Sequence, residues 1–255
     1  MNPEVPVSDA HTAVRSLKGR RAVVTGGTTG IGRAIAVLLA AEGARVFIGG
    51  SDPDHLADAL VRIGQVGEGS GATIDLTEPG APARFIEEGV AALGGIDIAV
   101  MNAATAAEGL SDMSAGAIEQ AIALDFTAYL MGAKAASERM GQGGDLVLIG
   151  SMSAHVLGPG STVYAGIKAG IAGLSEALRR ELGPKGIRVA LVEPGKTGSD
   201  MQMPDVSPEE QRRQIADETM LRAEDIAVGV QYLLTQPTRT VVQQLVIVPR
   251  AQPAE

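Results

Sequence analysis

Seven short apolar bursts rich in β-branched residues recur along the chain, at 20–25, 45–48, 72–74, 96–101, 145–149, 188–192 and 244–248. Between them lie stretches whose apolar residues keep helical spacing, at 30–42, 53–64, 78–93, 113–140, 161–182 and 223–235. A burst that is apolar at nearly every position suits a strand buried on both faces. Such strands alternating with helices predict a doubly wound, parallel seven-stranded sheet with helices on both faces, because a parallel neighbour is reached only through a crossover. No boundary interrupts the alternation, so 18–255 reads as a single α/β domain behind a loose arm at 1–17. One segment breaks the rhythm. Residues 195–222 carry Pro204, Pro208, Met201, Met203 and Met220 among many charges, and they follow the sixth burst. An excursion at the carboxyl end of a strand is where a substrate lid is expected, with an ordinary surface insertion as the alternative.

Composition narrows the function. Hydrophobic residues at 45% and charged residues at 20% exclude a disordered chain. A net charge of −9 argues against a nucleic-acid binder and against a basic membrane-surface protein. The chain has no cysteine, which removes disulfides, thiolate metal sites and a Cys nucleophile, and three scattered His residues predict no metal. No apolar run reaches the length of a membrane span and no leader is expected, so a cytoplasmic protein is the default. Aromatic residues are only 2%, so the core must be aliphatic and each of the three Tyr needs a reason.

The first burst runs into Thr25-Gly26-Gly27-Thr28-Thr29-Gly30-Ile31-Gly32, and a helix opens behind it. Glycines permit a tight turn and close backbone approach, and a helix N-terminus offers free N–H groups to a pyrophosphate. Strand, glycine turn and helix at the start of an α/β chain together predict a Rossmann-type dinucleotide site. Farther on, Tyr164-Ala165-Gly166-Ile167-Lys168 places two side chains one helical turn apart on one face. A free Tyr has a pKa of about 10 and is ionised only about one part in a thousand at neutral pH. A neighbouring ammonium stabilises the phenolate, so such a Tyr can exchange a proton with a carbonyl or alcohol oxygen.

The turn, with Gly26, Gly30 and Gly32, and the Tyr-x-x-x-Lys pair resemble the motifs of the short-chain dehydrogenase/reductase family in its short form. The resemblance spans residues 18–250. It implies that Ser151, thirteen residues before Tyr164, holds the substrate oxygen beside the Tyr, with Ser153 the fallback. Met101-Asn102-Ala103-Ala104 is similar to the family's Asn-Asn-Ala-Gly with two substitutions, which implies that Asn102 ties neighbouring strands and that Ala103 and Ala104 pass close to the cofactor. Pro194-Gly195-Lys196-Thr197-Gly198-Ser199 resembles the Pro-Gly motif, which implies contacts from Pro194, Gly195, Thr197 and Ser199 to the nicotinamide. Asp75 and Leu76 resemble the adenine-contacting pair. Where the family usually has an Asn that holds a relay water to the Lys, this chain has Asp125. The tetrad Ser151, Tyr164, Lys168 and Asp125 is therefore expected to work with an altered pH profile, while the alternative is that Asp125 only satisfies backbone groups.

Cofactor choice is read at the end of the second burst, Ile48-Gly49-Gly50-Ser51-Asp52. The acid that binds ribose hydroxyls in NAD enzymes is replaced by Gly50, which leaves room for a phosphate. The basic positions hold Ser51 and Thr29. The bases are thus missing as well as the acid, and NADP(H) is expected over NAD(H), with Thr28, Thr29 and Ile31 in the turn and Asp52 capping the next helix or, as the alternative, serving as a displaced ribose ligand. Substrate candidates are Ser153, His155, Met201 and Met203, and methionines suit an adaptable apolar pocket for an uncharged or weakly polar carbonyl or alcohol. The resemblance implies a homo-oligomer, a dimer through 113–140 and 161–182 and further a tetramer. The expected function is an NAD(P)-dependent oxidoreductase with a Tyr general acid/base. The rival readings are a catalytically weak dinucleotide sensor or scaffold, and an isomerase or dehydratase with a tightly held nucleotide.

Overall fold

The computed structural model describes residues 14–158, 160–202 and 205–251. Seven parallel strands form one sheet in the order β3-β2-β1-β4-β5-β6-β7. They are β1 (Arg21–Thr25), β2 (Arg45–Gly50), β3 (Glu68–Thr73), β4 (Ile96–Met101), β5 (Met140–Ile149), β6 (Arg188–Pro194) and β7 (Gln244–Ile247). The helices are α1 (Gly30–Ala41), α2 (Pro53–Gly64), α3 (Ala81–Leu93), α4 (Ala115–Ile122), α5 (Ala128–Arg139), α6 (Thr162–Leu182), α7 (Pro208–Ala216) and α8 (Ala223–Thr235). Strand order reverses between β1 and β4, and in such sheets a ligand crevice opens outside the carboxyl ends of the strands at that point.

Two apolar clusters flank the sheet. Val23, Phe47 and Leu148 face α3, α5 and α6, while Val24, Ile48 and Val147 face α1, α2 and α8. Consecutive residues of one strand thus serve opposite layers, which is why the bursts are apolar without alternation. Both cores are aliphatic apart from a few rings, chiefly Phe47 against Phe85 with centroids 5.4 Å apart.

Several sequence expectations need correction. The third strand begins at Glu68 rather than 72, because Gly69 and Gly71 lie over Ile63 and Leu56 of α2 and leave no apolar pattern to read. The third helix starts at Ala81, after a left-handed Gly80, rather than at 78. The segment 113–140 is not one helix: α4 and α5 are joined by a π-helical turn, Ala123–Thr127, and Met140 already belongs to β5. The excursion 195–222 contains α7, which the sequence reading left out; Ser207 caps it by accepting from Glu210 N. Of the arm at 1–17, residues 1–13 lie outside the described residues. Leu17 is buried, and Arg15 bonds to Asp145.

Candidate active site

The glycine turn lies between β1 and α1, beside the end of β4. Gly26 has a φ of +60°, and a Cβ there would come within 2.8 Å of the Ala103 Cα. A Cβ at Gly32 would collide with the Gly26 carbonyl, so the turn closes only without side chains at these positions. Asn102 fastens the turn to β4: its Nδ2 donates to the carbonyls of Thr25 and Gly26, both at 3.1 Å. Thr25 Oγ1 accepts from Asn102 N at 2.8 Å and from Ala103 N at 3.1 Å. No side chain caps α1 at Thr29, so its first N–H groups stay available. A Cβ at Gly30 would meet Ser199 at 3.3 Å, so the turn and the loop after β6 face each other across a narrow gap. Open helix N–H groups, a side-chain-free turn and a facing hydroxyl residue fit a dinucleotide pyrophosphate.

At the end of β2 a Cβ on Gly50 would strike the Thr28 hydroxyl, so a carboxylate has no place there without moving Thr28. Ser51 is exposed. Asp52 caps α2, accepting from Asp54 N at 2.8 Å and His55 N at 2.9 Å, and these bonds hold its carboxyl below the usual range. After β3, Asp75 Oδ1 accepts from the Thr77 N–H and hydroxyl, while Leu76 is buried.

Beneath the crevice lies a buried group of polar side chains. Lys168 on α6 is almost fully buried, with Nζ 5.3 Å from the centre of the Tyr164 ring and 5.5 Å from that of Tyr129. Asp125 Oδ2 lies 4.0 Å from the same Nζ. The π-helical turn is what brings Asp125 here. Such a wide turn displaces a side chain from the ordinary helical path, and close packing of Phe126 on Gly170 fixes it against α6. Asp125 Oδ1 accepts from Thr105 N at 2.8 Å, while buried Oδ2 has no hydrogen-bond partner. Burial raises the Asp125 carboxyl to about 6 against the opposing pull of Lys168 and the Thr105 N–H. Tyr129 donates to the Ile149 carbonyl at 3.0 Å, and its phenol is pushed well above the ordinary value, mainly by burial.

Ser151 follows β5 and begins a tight turn, Met152–Ala154, that packs against α6. Its Oγ accepts from Ser153 N at 3.1 Å and lies 3.2 Å from Ser153 Oγ. His155 ends this turn. After β6, Gly195 N donates to the Ile247 carbonyl at 2.7 Å, Thr197 Oγ1 to the Gly195 carbonyl at 3.0 Å, and Gln211 Nε2 to the Ser199 carbonyl at 3.2 Å. Thr197 pairs with Leu221, which closes the neck of the excursion. Met201 is half-buried on a short turn, Met203 lies outside the described residues, and Met220 is buried.

Two residues escaped the sequence reading. Tyr129 stands one turn beyond Asp125, a spacing that signals a shared face. Glu193, wholly buried, is an acid directly after the aliphatic run Val189–Val192 of β6.

A family model described as short chain dehydrogenase matches residues 20–210. The chain is 32% identical over 230 residues to an L-rhamnose 1-dehydrogenase (NAD(P)(+)) of Sphingomonas sp., covering 86% of this chain and 91% of that one. Among solved structures, a short chain dehydrogenase from Burkholderia cenocepacia in complex with NADP superposes with a TM-score of 0.82 at 31% identity, over 92% of this chain and 98% of that one. A blue fluorescent protein from a metagenomic library, in complex with NADPH, gives 0.81 at 26% identity, over 92% and 98%. With the family match across residues 20–210, most of its length, the chain belongs to the short-chain dehydrogenase/reductase family.

Proposed function

We propose that this NAD(P)-dependent oxidoreductase interconverts an uncharged carbonyl compound and an alcohol, with Tyr164 as general acid/base and NADP(H) as the preferred cofactor. The observation that carries the reading is the placement of Lys168: a buried ammonium one turn from Tyr164, with its Nζ 5.3 Å from the centre of that ring. Tyr164, with that ammonium against its ring, is the side chain placed to give a proton to a carbonyl oxygen or take one from a hydroxyl. Ser151 turns its hydroxyl from Ser153 to the substrate oxygen and fixes that oxygen beside Tyr164. Asp125 Oδ2, 4.0 Å from Lys168 Nζ, stands next in line for a proton beyond it. The nicotinamide supplies or accepts the hydride.

On this reading the turn residues Gly26, Thr28, Thr29, Gly30, Ile31 and Gly32 hold the pyrophosphate end, Asp75 and Leu76 border the adenine, and Asn102, Ala103 and Ala104 line the wall. Pro194, Gly195, Thr197 and Ser199 hold the nicotinamide. The phosphate preference is supported by the blocked acid position at Gly50, by the engagement of Asp52 with its own helix, and by relatives solved with NADP and NADPH. The excursion 195–222 covers the substrate, with Met201 at its inner end. A homo-oligomer through α4–α5 and α6 belongs to the same proposal, supported by the exposed Ile122, Leu130 and Met131. So does a cytoplasmic setting; no described helix is long and apolar enough to cross a membrane. No observation favours a sensor without catalysis.

Separate titrations with NADH and NADPH, read by nicotinamide fluorescence and followed by a panel of ketones and aldehydes, test the reading. Tighter NADPH binding with carbonyl-dependent oxidation is expected. Binding of neither dinucleotide overturns it.

A further inference from the structure

Glu193 is the residue before Pro194 on β6 and has no exposed surface. Both of its oxygens lie 3.0 Å from His155 Nε2, and Gln244 Nε2 at the start of β7 donates to Oε2. The carboxylate stands beside Gly150, where a Cβ would come within 3.2 Å of Glu193 Cγ. A buried acid is expensive unless it is paired. Nothing in the packing of β6 calls for one, since Val189, Ala190, Leu191 and Val192 are all buried aliphatics.

The acid meets two side chains, Gln244 from β7 and His155 from the turn after β5. The His155 side chain is 48% exposed while Glu193 is at 0%, so the ring has one edge in the protein and the other toward the outside. With Nε2 donating to the carboxylate, the ring orientation is set and Nδ1 is left for a further partner. Among the described residues no hydrogen bond to Nδ1 is formed. His155 lies four residues beyond Ser151 and is the one ionisable side chain between Ser151 and Tyr164. Its neighbours Val156 and Leu157 are apolar, and Leu157 is 75% exposed.

We propose that Glu193 is a positioning residue that orients His155, and that His155 Nδ1 binds a second oxygen of the substrate. The substrate class is then a carbonyl compound bearing a hydroxyl near the reacting carbon, or the matching polyol, rather than a plain alkyl ketone. This rests on the oxidoreductase reading above.

The test compares acetoin with methyl isopropyl ketone, which exchanges the hydroxyl for a methyl group. Wild type is expected to favour acetoin in kcat/KM by about tenfold or more, the worth of a hydrogen bond in a shielded site. His155→Phe brings the ratio near one through the KM for acetoin, and His155→Asn restores part of it. Glu193→Gln raises the acetoin KM with kcat largely kept. NADPH affinity and thermal melting, read on every variant, report whether the fold and cofactor site survive. An unchanged ratio in His155→Phe overturns the proposal, and so does a Glu193→Gln variant that loses kcat equally for both ketones, the mark of a mere brace. Binding of neither dinucleotide, or turnover of no carbonyl on the panel, overturns the oxidoreductase reading itself.

Discussion

The two ends of the sheet treat buried charge in opposite ways. At the amino end, Asp145 is nearly sealed off yet paired by Arg188 at 2.6 Å, Arg20 at 2.7 Å and Arg15 at 3.2 Å. Arg188 then spends its remaining donors on the carbonyls of Leu234, Gln236, Pro237 and Thr240. At the carboxyl end, Asp125 and Lys168 are equally buried but stand 4.0 Å apart, and the Asp125 oxygen facing the ammonium forms no hydrogen bond with the described residues. A dense network of ion pairs and hydrogen bonds ties β5, β6 and the segment after α8 into one geometry. An unsaturated pair is costly to keep and has a protonation state that can change. Asp145 meets three guanidinium groups, whereas Asp125 meets one N–H and one ammonium at longer range; buried acids of the second kind are the ones expected at functional sites.

Removing one hydroxyl at the carboxyl end should separate function from folding most sharply. Tyr164→Phe is expected to lower kcat by about a thousandfold while NADPH affinity and urea unfolding stay near wild type. A loss of stability comparable to the loss of rate would erase the contrast. The mirror experiment is Asp145→Ala, which leaves three guanidinium groups around an empty position. Unfolding free energy should fall by about 3–5 kcal/mol, while kcat/KM per folded molecule is kept. Chemical denaturation followed by assays of the folded fraction checks both halves.

Asp125→Asn probes the boundary between the two behaviours. The folded carboxyl titrates at about 6 instead of its ordinary lower value. Between those two pH values the native chain therefore binds more protons than the unfolded one, and stability drains away as pH rises through the window. The Asn variant lacks this loss. Its advantage over wild type should be absent below pH about 4 and grow to as much as about 3 kcal/mol above pH about 7. Unfolding curves at acid and alkaline pH measure it. The pH–rate profile of wild type should bend near the same pH, and an Asn variant with an identical profile would remove Asp125 from the proton path. The smallest effect is expected from Asp52→Ala. Loss of the α2 cap should lower the melting temperature slightly and leave the NADH dissociation constant unchanged, since that carboxylate serves its own helix.

The fold was legible where burial on both faces writes itself into the chain, as in Val23 and Val24 of β1, and where glycines must sit, as in the turn at Gly26. It was illegible at β3, whose contacts run through glycine, and at the π-helical turn, because a single widened turn leaves the apolar period nearly intact. In the site, Tyr164 and Lys168 could be found because one helix carries both. The Thr105 N–H that holds Asp125 and the His155 that meets Glu193 could not, since each partner comes from a different loop and only folding makes them neighbours.

The strand order sets a timetable for the growing chain. The glycine turn leaves the ribosome early, yet its walls, Asn102 and Ala103, arrive with β4, and Ser199, across the gap from Gly30, arrives only after β6. A nascent chain halted before β6 owns the phosphate turn without the opposite bank of the crevice. On the proposed function, nucleotide capture is therefore expected to need the segment after β6, so that a dinucleotide would close on a sheet already formed.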